Sequence, residues 1–403
     1  MTKIGIIREG KNPPDKRVPL TPKQCADVVE QYSGVEVVVQ PSPVRAFPDG
    51  DYTDAGIALQ DDLSDCDIIM GVKEVPVDML IPGKTFMFFS HTFKQQPYNR
   101  NLLRAILDKH ISLVDYEVLT AEKGQRLIGF GRYAGIVGCY NAFLAYGRKS
   151  GRYTLKPAHK CFDRSEVEQE LKRVDLPKNF KLVLTGSGRV GGGALEMLEH
   201  VAIAKVDPEQ YLKAQFEGPV YTQLSVQDYV AKNDGSDFEN SEFYEFPERF
   251  VSNFMRFARV SEMYIPCHYW DHRAPFIFTR EDAKQPDFRI KVVADISCDI
   301  DGPVASTIRP STIADPLYGY LPATEKEVDF DHPEAIGVMA IDNLPCELPR
   351  DASEDFGNEL IKNIFPELLG KERSAVIERA RQTDLHGKLT ERYAYLEGYV
   401  KGT

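Results

Sequence analysis

Lys181-Leu-Val-Leu-Thr-Gly186-Ser-Gly188-Arg-Val-Gly191-Gly-Gly-Ala-Leu-Glu-Met-Leu198 is the stretch on which the fold turns. The apolar run Phe180–Leu184 predicts a buried strand, and the amphipathic pattern beyond Val190 predicts a helix. Between them stand three glycines in Gly-x-Gly-x-x-Gly spacing. The first permits a tight turn, the second lets the backbone approach a pyrophosphate, and the third lets helix and strand pack closely. The helix N-terminus then faces the negative charge. Gly186, Ser187, Gly188, Arg189, Val190 and Gly191 are therefore candidate dinucleotide-binding residues. No Gly-Lys-Ser or Gly-Lys-Thr follows, which excludes a phosphate loop of the Walker type. The acid expected about 20 residues on, for the adenosine ribose, falls on Asp207 at the end of a second strand, Ala202–Val206. Asp207-Pro-Glu reads equally well as a helix N-cap, so NAD and NADP both stay open as the cofactor.

Upstream of this turn, short apolar runs alternate with helical patterns. Strands are expected at Lys3–Arg8, Val35–Val39, Ile68–Val72, Thr85–Ser90 and Ser112–Asp115. Helices are expected at Pro22–Ser33, with Thr21 as N-cap, and at Pro97–Lys109. Such alternation argues for an α/β fold with helices on the faces of a sheet. Tyr133–Lys149 is rich in Gly, Ala and aromatic residues, the composition of a long helix that packs closely against a neighbour. Downstream, 207–260 is acidic, aromatic and irregular and reads as an insertion. Strands follow at Met263–Cys267 and Ile290–Ile296, and Asp342–Ser353 opens a helix to about Leu369. Glu372–Tyr399 reads mostly as amphipathic helix, with Gly387 offering a break.

A chain of 403 residues is long for one core, so two domains are expected. The net charge of −12 argues against a nucleic-acid surface. No apolar run approaches the roughly 20 residues of a membrane span, and the N-terminus lacks a signal-peptide pattern. The seven cysteines are scattered, with no Cys-x-x-Cys pair, which fits reduced thiols in a cytoplasmic protein. His268-Tyr-Trp-Asp-His272 follows a strand rather than lying on a helix, so no metal site is expected.

Polar groups concentrate at strand ends in the first third: Lys73-Glu74 after one apolar run, His91 and Lys94 after another, and Arg17 in a Pro-bounded loop. Open α/β sheets bind ligands beyond the carboxyl ends of their strands. His supplies a proton-transfer group near neutral pKa, and Lys a second one when its surroundings tune it. Glu74 either points away from Lys73 along the strand or lies in the turn and tunes it. An Arg fork suits bidentate binding of a carboxylate.

These segments resemble the saccharopine dehydrogenase and alanine dehydrogenase superfamily. The resemblance rests on Asp15-Lys-Arg-Val-Pro-Leu-Thr-Pro22, Gly71-Val-Lys-Glu74 and Phe89-Ser-His-Thr-Phe-Lys94. Leu113-Val-Asp-Tyr-Glu117 and Gly124-Gln-Arg-Leu-Ile-Gly-Phe-Gly-Arg-Tyr-Ala-Gly135 are similar to the saccharopine branch, and Phe88-Phe-Ser-His-Thr92 and Asp342-Asn-Leu-Pro345 most resemble its lysine–ketoglutarate reductase members. Ala294–Gly302, Arg309–Thr312 and Asp342–Arg350 complete the order. The resemblance implies Lys73 and His91 as the acid/base pair, Arg17 as a carboxylate holder, and Lys94, Glu117 and Arg126 near the substrate. It places Asp299, Asn343 and Leu344 beside the nicotinamide. It implies two Rossmann-like α/β domains with a cleft between them, the dinucleotide domain inserted into a discontinuous first domain. The expected bounds are 1–135 with 345–403 for the substrate domain and 136–344 for the dinucleotide domain. The implied activity is NAD(P)-dependent reduction of an imine between an amino acid and a 2-oxo acid, lysine and 2-oxoglutarate, with homo-oligomerisation left open. An alanine-dehydrogenase-like deaminase and a non-catalytic dinucleotide-binding protein are the competing expectations.

Overall fold

The computed structural model describes residues 1–370 and 375–402, which form two compact units, Met1–Phe130 with Pro349–Thr403 and Gly131–Leu348. The first unit holds a six-stranded sheet of β1 (Thr2–Ile6), β2 (Val35–Val39), β3 (Ala58–Leu59), β4 (Ile68–Met70), β5 (Thr85–Phe88) and β6 (Ser112–Asp115). The order is β3-β2-β1-β4-β5-β6, every pair parallel. A parallel sheet is covered on both faces, which is why its strands read as continuous apolar runs. Ile4, Val37, Val39, Ile68 and Met70 join one core cluster, and Val38, Ile69, Phe86, Phe88 and Leu113 another. The chain leaves β1 to one side for β2 and returns on the other for β4, so the crevice beyond β1 and β4 is a topological switch point.

The helix Pro22–Gln31 begins as its sequence predicts, with Pro22 in the first turn and Thr21 and Gln24 forming a capping box. Gln24 continues to the Glu354 carbonyl at 2.8 Å, tying it to the helix Pro349–Asn363. Phe356 on that helix stacks on Phe130, with ring centroids 4.5 Å apart, and packs edge-on against Tyr116. The terminal stretch breaks at Gly387, where the sequence offers a break, but it is less helical than expected: its helices are the short pieces Val376–Ala380, Glu391–Leu396 and Glu397–Lys401. A turn at Asp384–Lys388 with Gly387 at positive φ interrupts them, and 371–374 lie outside the described residues.

The second unit holds β7 (Lys181–Thr185), β8 (Ala204–Lys205), β9 (Val220–Leu224), β10 (Val230–Lys232), β11 (Phe250–Ser252), β12 (Met263–Pro266), β13 (Val292–Ala294), β14 (Leu317–Leu321), β15 (Lys326–Val328) and β16 (Ile336–Met339). β10 and β11 pair as an antiparallel ribbon, and the other eight form one sheet in the order β15-β14-β16-β13-β12-β7-β9-β8. The expectation of an insertion over 207–260 is corrected here. Val220–Leu224 is buried at four of its five positions and pairs in parallel with β7 along its full length, so it belongs to the central sheet. Its aromatic and Thr residues suit a pleated strand, but the polar Thr222 and Gln223 conceal the apolar signal. The helices Gly131–Ser150 and Arg189–Leu198 approach through small residues. A Cβ on Gly135 would stand 1.9 Å from the Val190 carbonyl oxygen, and one on Gly193 2.0 Å from that of Arg132.

Candidate functional site

Four strand ends of the first unit converge on one group of side chains. β4 stops at Met70, so Lys73 and Glu74 lie in the turn that follows rather than on the strand. β5 delivers Ser90–Lys94, β6 delivers Tyr116 and Glu117, and the loop after β1 carries Glu9, Lys11, Asp15 and Arg17.

His91 adopts a left-handed backbone conformation, φ 55°, which a non-glycine residue holds only where its surroundings insist. Asp115 supplies that insistence. Its buried carboxylate accepts from the Ser90 amide at 3.0 Å, the His91 amide at 3.2 Å and the Glu117 amide at 2.8 Å, and also from the Ser90 hydroxyl. The Gln382 amide reaches the same carboxylate at 3.3 Å. Burial pushes the Asp115 carboxyl upward, and these donors oppose the shift.

The His91 imidazole lies between two acids. Nδ1 is 2.7 Å from Glu74 Oε1, and Nε2 is 3.5 Å from Glu117 Oε2. Burial raises Glu74, but its hydrogen bonds to His91 and Lys11 prevail and hold it at about 2. An ionised Glu74 only accepts, so His91 Nδ1 carries a proton toward it and Nε2 is the ring nitrogen left to exchange one. Glu117 is similarly raised by burial and lowered further by Arg126 and Lys94, with Lys94 Nζ 2.9 Å away and Arg126 in direct contact. Glu74, His91, Lys94, Glu117 and Arg126 thus form one connected group.

Arg17 and Lys73 meet at Asp15. The buried Arg17 guanidinium donates from Nε at 3.0 Å and from a terminal nitrogen at 2.7 Å to the two Asp15 oxygens, and lies 4.2 Å over the Phe130 ring. Despite its burial, Asp15 is held well below the carboxylate range by Arg17, with Lys73 adding to the effect. The fork expected to grip a substrate carboxylate therefore closes on Asp15. The more exposed cations are Lys11, Lys94 and Arg126, with side chains 40%, 38% and 54% exposed. Glu9, absent from the sequence expectations, accepts from the Val72 amide at 2.6 Å and the Lys73 amide at 3.0 Å. Asp115 was also missed. An acid ending an apolar strand is a readable signal for it, whereas Glu9 has none.

In the second unit the glycine turn has the geometry its spacing predicts. Gly186 sits at φ 101°, where a Cβ would come within 2.5 Å of the Cys267 carbonyl oxygen. A Cβ on Gly191 would stand 2.3 Å from the Gly186 carbonyl oxygen, so this position must be glycine for the turn to close. Gly188 instead faces open space, as a backbone must where a phosphate is to approach. It caps the helix that begins with Arg189 and Val190, and Ser187 precedes it in the loop. These residues fit a dinucleotide. Asp299 follows β13, and Asn343 and Leu344 follow β16, beyond the same carboxyl edge of the sheet. Burial raises Asp299, and nearby Asp295 is pushed up to about 6 by burial.

Of the two readings of Asp207, the structure shows the helix cap and not the place beside the glycine turn. Asp207 follows β8, which β9 separates from β7, and one of its oxygens caps the helix Pro208–Lys213 through the Glu209 and Gln210 amides. The strand beside β7 ends at Leu224, so Ser225 is the residue that follows it next to the glycine turn. Ser225 donates to Asp228 at 2.7 Å, and Lys205 reaches Gln223, which donates to the Gly186 carbonyl at 3.0 Å. His268 follows β12 beside the turn. Burial lowers it to about 4, and its Nδ1 lies 2.8 Å from the Thr185 hydroxyl. All seven cysteines are free. Among the described residues there is no cluster of three or more His, Cys, Asp or Glu that could hold a metal ion, and no helix is long and apolar enough to cross a membrane.

Residues 5–137 match the family described as alanine dehydrogenase/PNT, N-terminal domain. Mouse mitochondrial alpha-aminoadipic semialdehyde synthase is 31% identical over 98% of the chain, which spans 47% of that protein, about half its length. The Neurospora crassa saccharopine dehydrogenase [NAD(+), L-lysine-forming] is 26% identical over 91% of the chain and 92% of its own length. A solved L-alanine dehydrogenase superposes over 100% of the chain and 99% of its own, with a TM-score of 0.63 at 16% identity, a likeness of fold.

Proposed function

We propose a function from one premise: the chain belongs to the saccharopine dehydrogenase and alanine dehydrogenase superfamily. It acts as a nicotinamide-dinucleotide-dependent oxidoreductase on the CH–NH bond of an adduct between an amino acid and a 2-oxo acid. The pair is lysine and 2-oxoglutarate, in keeping with the relatives named for saccharopine and for lysine. The first unit is the substrate and acid/base domain, and the second the dinucleotide domain.

One observation carries this reading: His91 held between ionised Glu74 and Glu117. Attack of the substrate amine on the oxo carbon gives a carbinolamine, loss of water gives an imine, and hydride addition gives the secondary amine. When bound, the nicotinamide supplies the hydride or accepts it in reverse. Each other step moves a proton, and His91 Nε2 takes it while Glu74 steadies the imidazolium that results. Lys73 is the second proton-moving group. Lys94 and Arg126 turn from Glu117 to the substrate carboxylates, a charge-assisted exchange that fixes the 2-oxo acid. Gly186–Gly191 hold the pyrophosphate, with Asp299, Asn343 and Leu344 beside the nicotinamide. Ser225 follows the strand beside β7 and engages the Asp228 carboxylate itself, while Lys205 reaches Gln223 on that strand, and this exposed cation favours the 2′-phosphorylated cofactor, NADP(H).

The test measures NADPH and NADH oxidation with lysine plus 2-oxoglutarate, and separately with pyruvate plus ammonia. Turnover is expected with the first pair, and Glu74→Gln, which loses the anionic acceptor, is expected to lower kcat at least about a hundredfold. Turnover confined to pyruvate and ammonia would replace this reading with that of a deaminating dehydrogenase.

A further inference from the structure

The turn that carries Lys73 and Glu74 is held from beneath by a residue outside the reaction described above. Glu9 leaves the end of β1 and places one carboxylate oxygen on each of two successive amides, Val72 at 2.6 Å and Lys73 at 3.0 Å. Successive N–H groups pointing the same way form a small anion-binding concavity, and here a side chain of the same unit fills it. The neighbouring Gly71 leaves just enough room, since a Cβ there would sit 3.4 Å from Glu9 Oε1. The ionised carboxylate holds both amides most strongly, because protonation turns one of its oxygens into an O–H donor and a weaker acceptor.

We propose that Glu9 is a positioning residue whose ionised carboxylate holds the Val72–Lys73 backbone, so that protonating it releases the segment presenting Lys73 and Glu74. The proposal rests on the functional reading above for its catalytic consequence, but its structural half stands apart from it. The charged and titratable groups facing Glu9 are Asp15 and Arg17 from its own loop, Lys73 from the loop after β4, and Tyr116 from the turn after β6. Burial, with Asp15 adding to it, pushes Glu9 up to about 7 against the two amide bonds and the Arg17 charge. The clamp is therefore closed above neutrality and opens as pH falls through about 7. Sequence gives no notice of this, since Glu9 is one acid in a polar loop and its partners lie over sixty residues away.

The experiment uses the full chain labelled with 15N-valine, the Val72 amide assigned by Val72→Ile, and followed between pH 5 and 9. The Val72 resonance is expected to titrate with a midpoint near 7 in the parent and to stay flat in Glu9→Gln. A flat parent curve, or one unchanged by Glu9→Gln, overturns the proposal. Kinetics supply the second readout. Glu9→Gln is expected to lower kcat about tenfold, to leave the KM of the 2-oxo acid within about twofold, and to remove the acid limb near 7. Glu9→Asp, which keeps the charge, is expected to restore a titrating limb. Parental kcat and pH profile in Glu9→Gln would overturn the catalytic half. Should the parent turn over neither substrate pair, the functional reading fails, and the Val72 titration still decides the clamp.

Discussion

At the residue scale, Arg17 shows how position in a motif and position in space diverge. Its motif marks it as a carboxylate holder, and the structure gives it a carboxylate from its own chain, Asp15, two residues away. Both partners are 3% exposed, so neither can fall back on water. Breaking a buried pair by removing one partner leaves an uncompensated charge. Arg17→Ala is accordingly expected to destabilise the protein by about 3–5 kcal/mol, read from the midpoint of urea unfolding. Loss of substrate affinity at unchanged stability would return Arg17 to the role its motif implies. His91 was legible because an apolar run ending in His is conspicuous. Its pairing with Glu74 was not, since that depends on β4 ending at Met70, and strand alternation predicts nothing beyond a strand's last residue.

Elements carry a different lesson. Strands such as Val35–Val39 and Ser112–Asp115 occur where their apolar runs predict, because burial on both faces leaves an unmistakable pattern. β9 escaped notice because Thr222 and Gln223 interrupt that pattern, and without it Asp207, rather than Ser225, stands after the strand next to the glycine turn. Topology, which a sequence states only weakly, decides which residue meets the cofactor. The strand order predicts that Lys205→Glu reverses the charge near the 2′ position. NADPH binding, measured by fluorescence titration, is expected to weaken at least about tenfold while NADH binding changes little, as loss of a charged contact suggests. Equal weakening of both would show that Lys205 acts on the turn through Gln223 rather than on the phosphate.

For the whole molecule, buried titratable groups set how stability follows pH. His268 is lowered from 6.5 to about 4, so between those values the unfolded chain binds a proton the fold refuses. Stability therefore declines as pH falls through that window, by about 2–3 kcal/mol from this group. Asp295, raised to about 6, runs the other way: the fold retains its proton longer, and stability declines as pH rises from about 4 to about 6. Urea midpoints at pH 4.5 and 7 are expected to differ less in His268→Gln in the sense that its acid-side loss is smaller than the parent's. An identical acid-side loss would show that His268 is charged in the fold.

The discontinuous first unit has a consequence in time as well as in space. Its site loop is braced from the far end of the chain: Gln382 accepts from Thr92 at 2.7 Å and donates to Asp115, and Phe356 fills the space among Phe89, Tyr116 and Phe130. On the ribosome, residues 1–130 emerge long before those partners, and at roughly 5–20 residues per second the interval is about ten to forty seconds. Throughout it the unit's aromatic core lies open and its histidine loop unbraced, while the intervening unit can complete its own sheet. The nascent chain thus finishes its second unit first, and the half-made first unit is what a chaperone would meet.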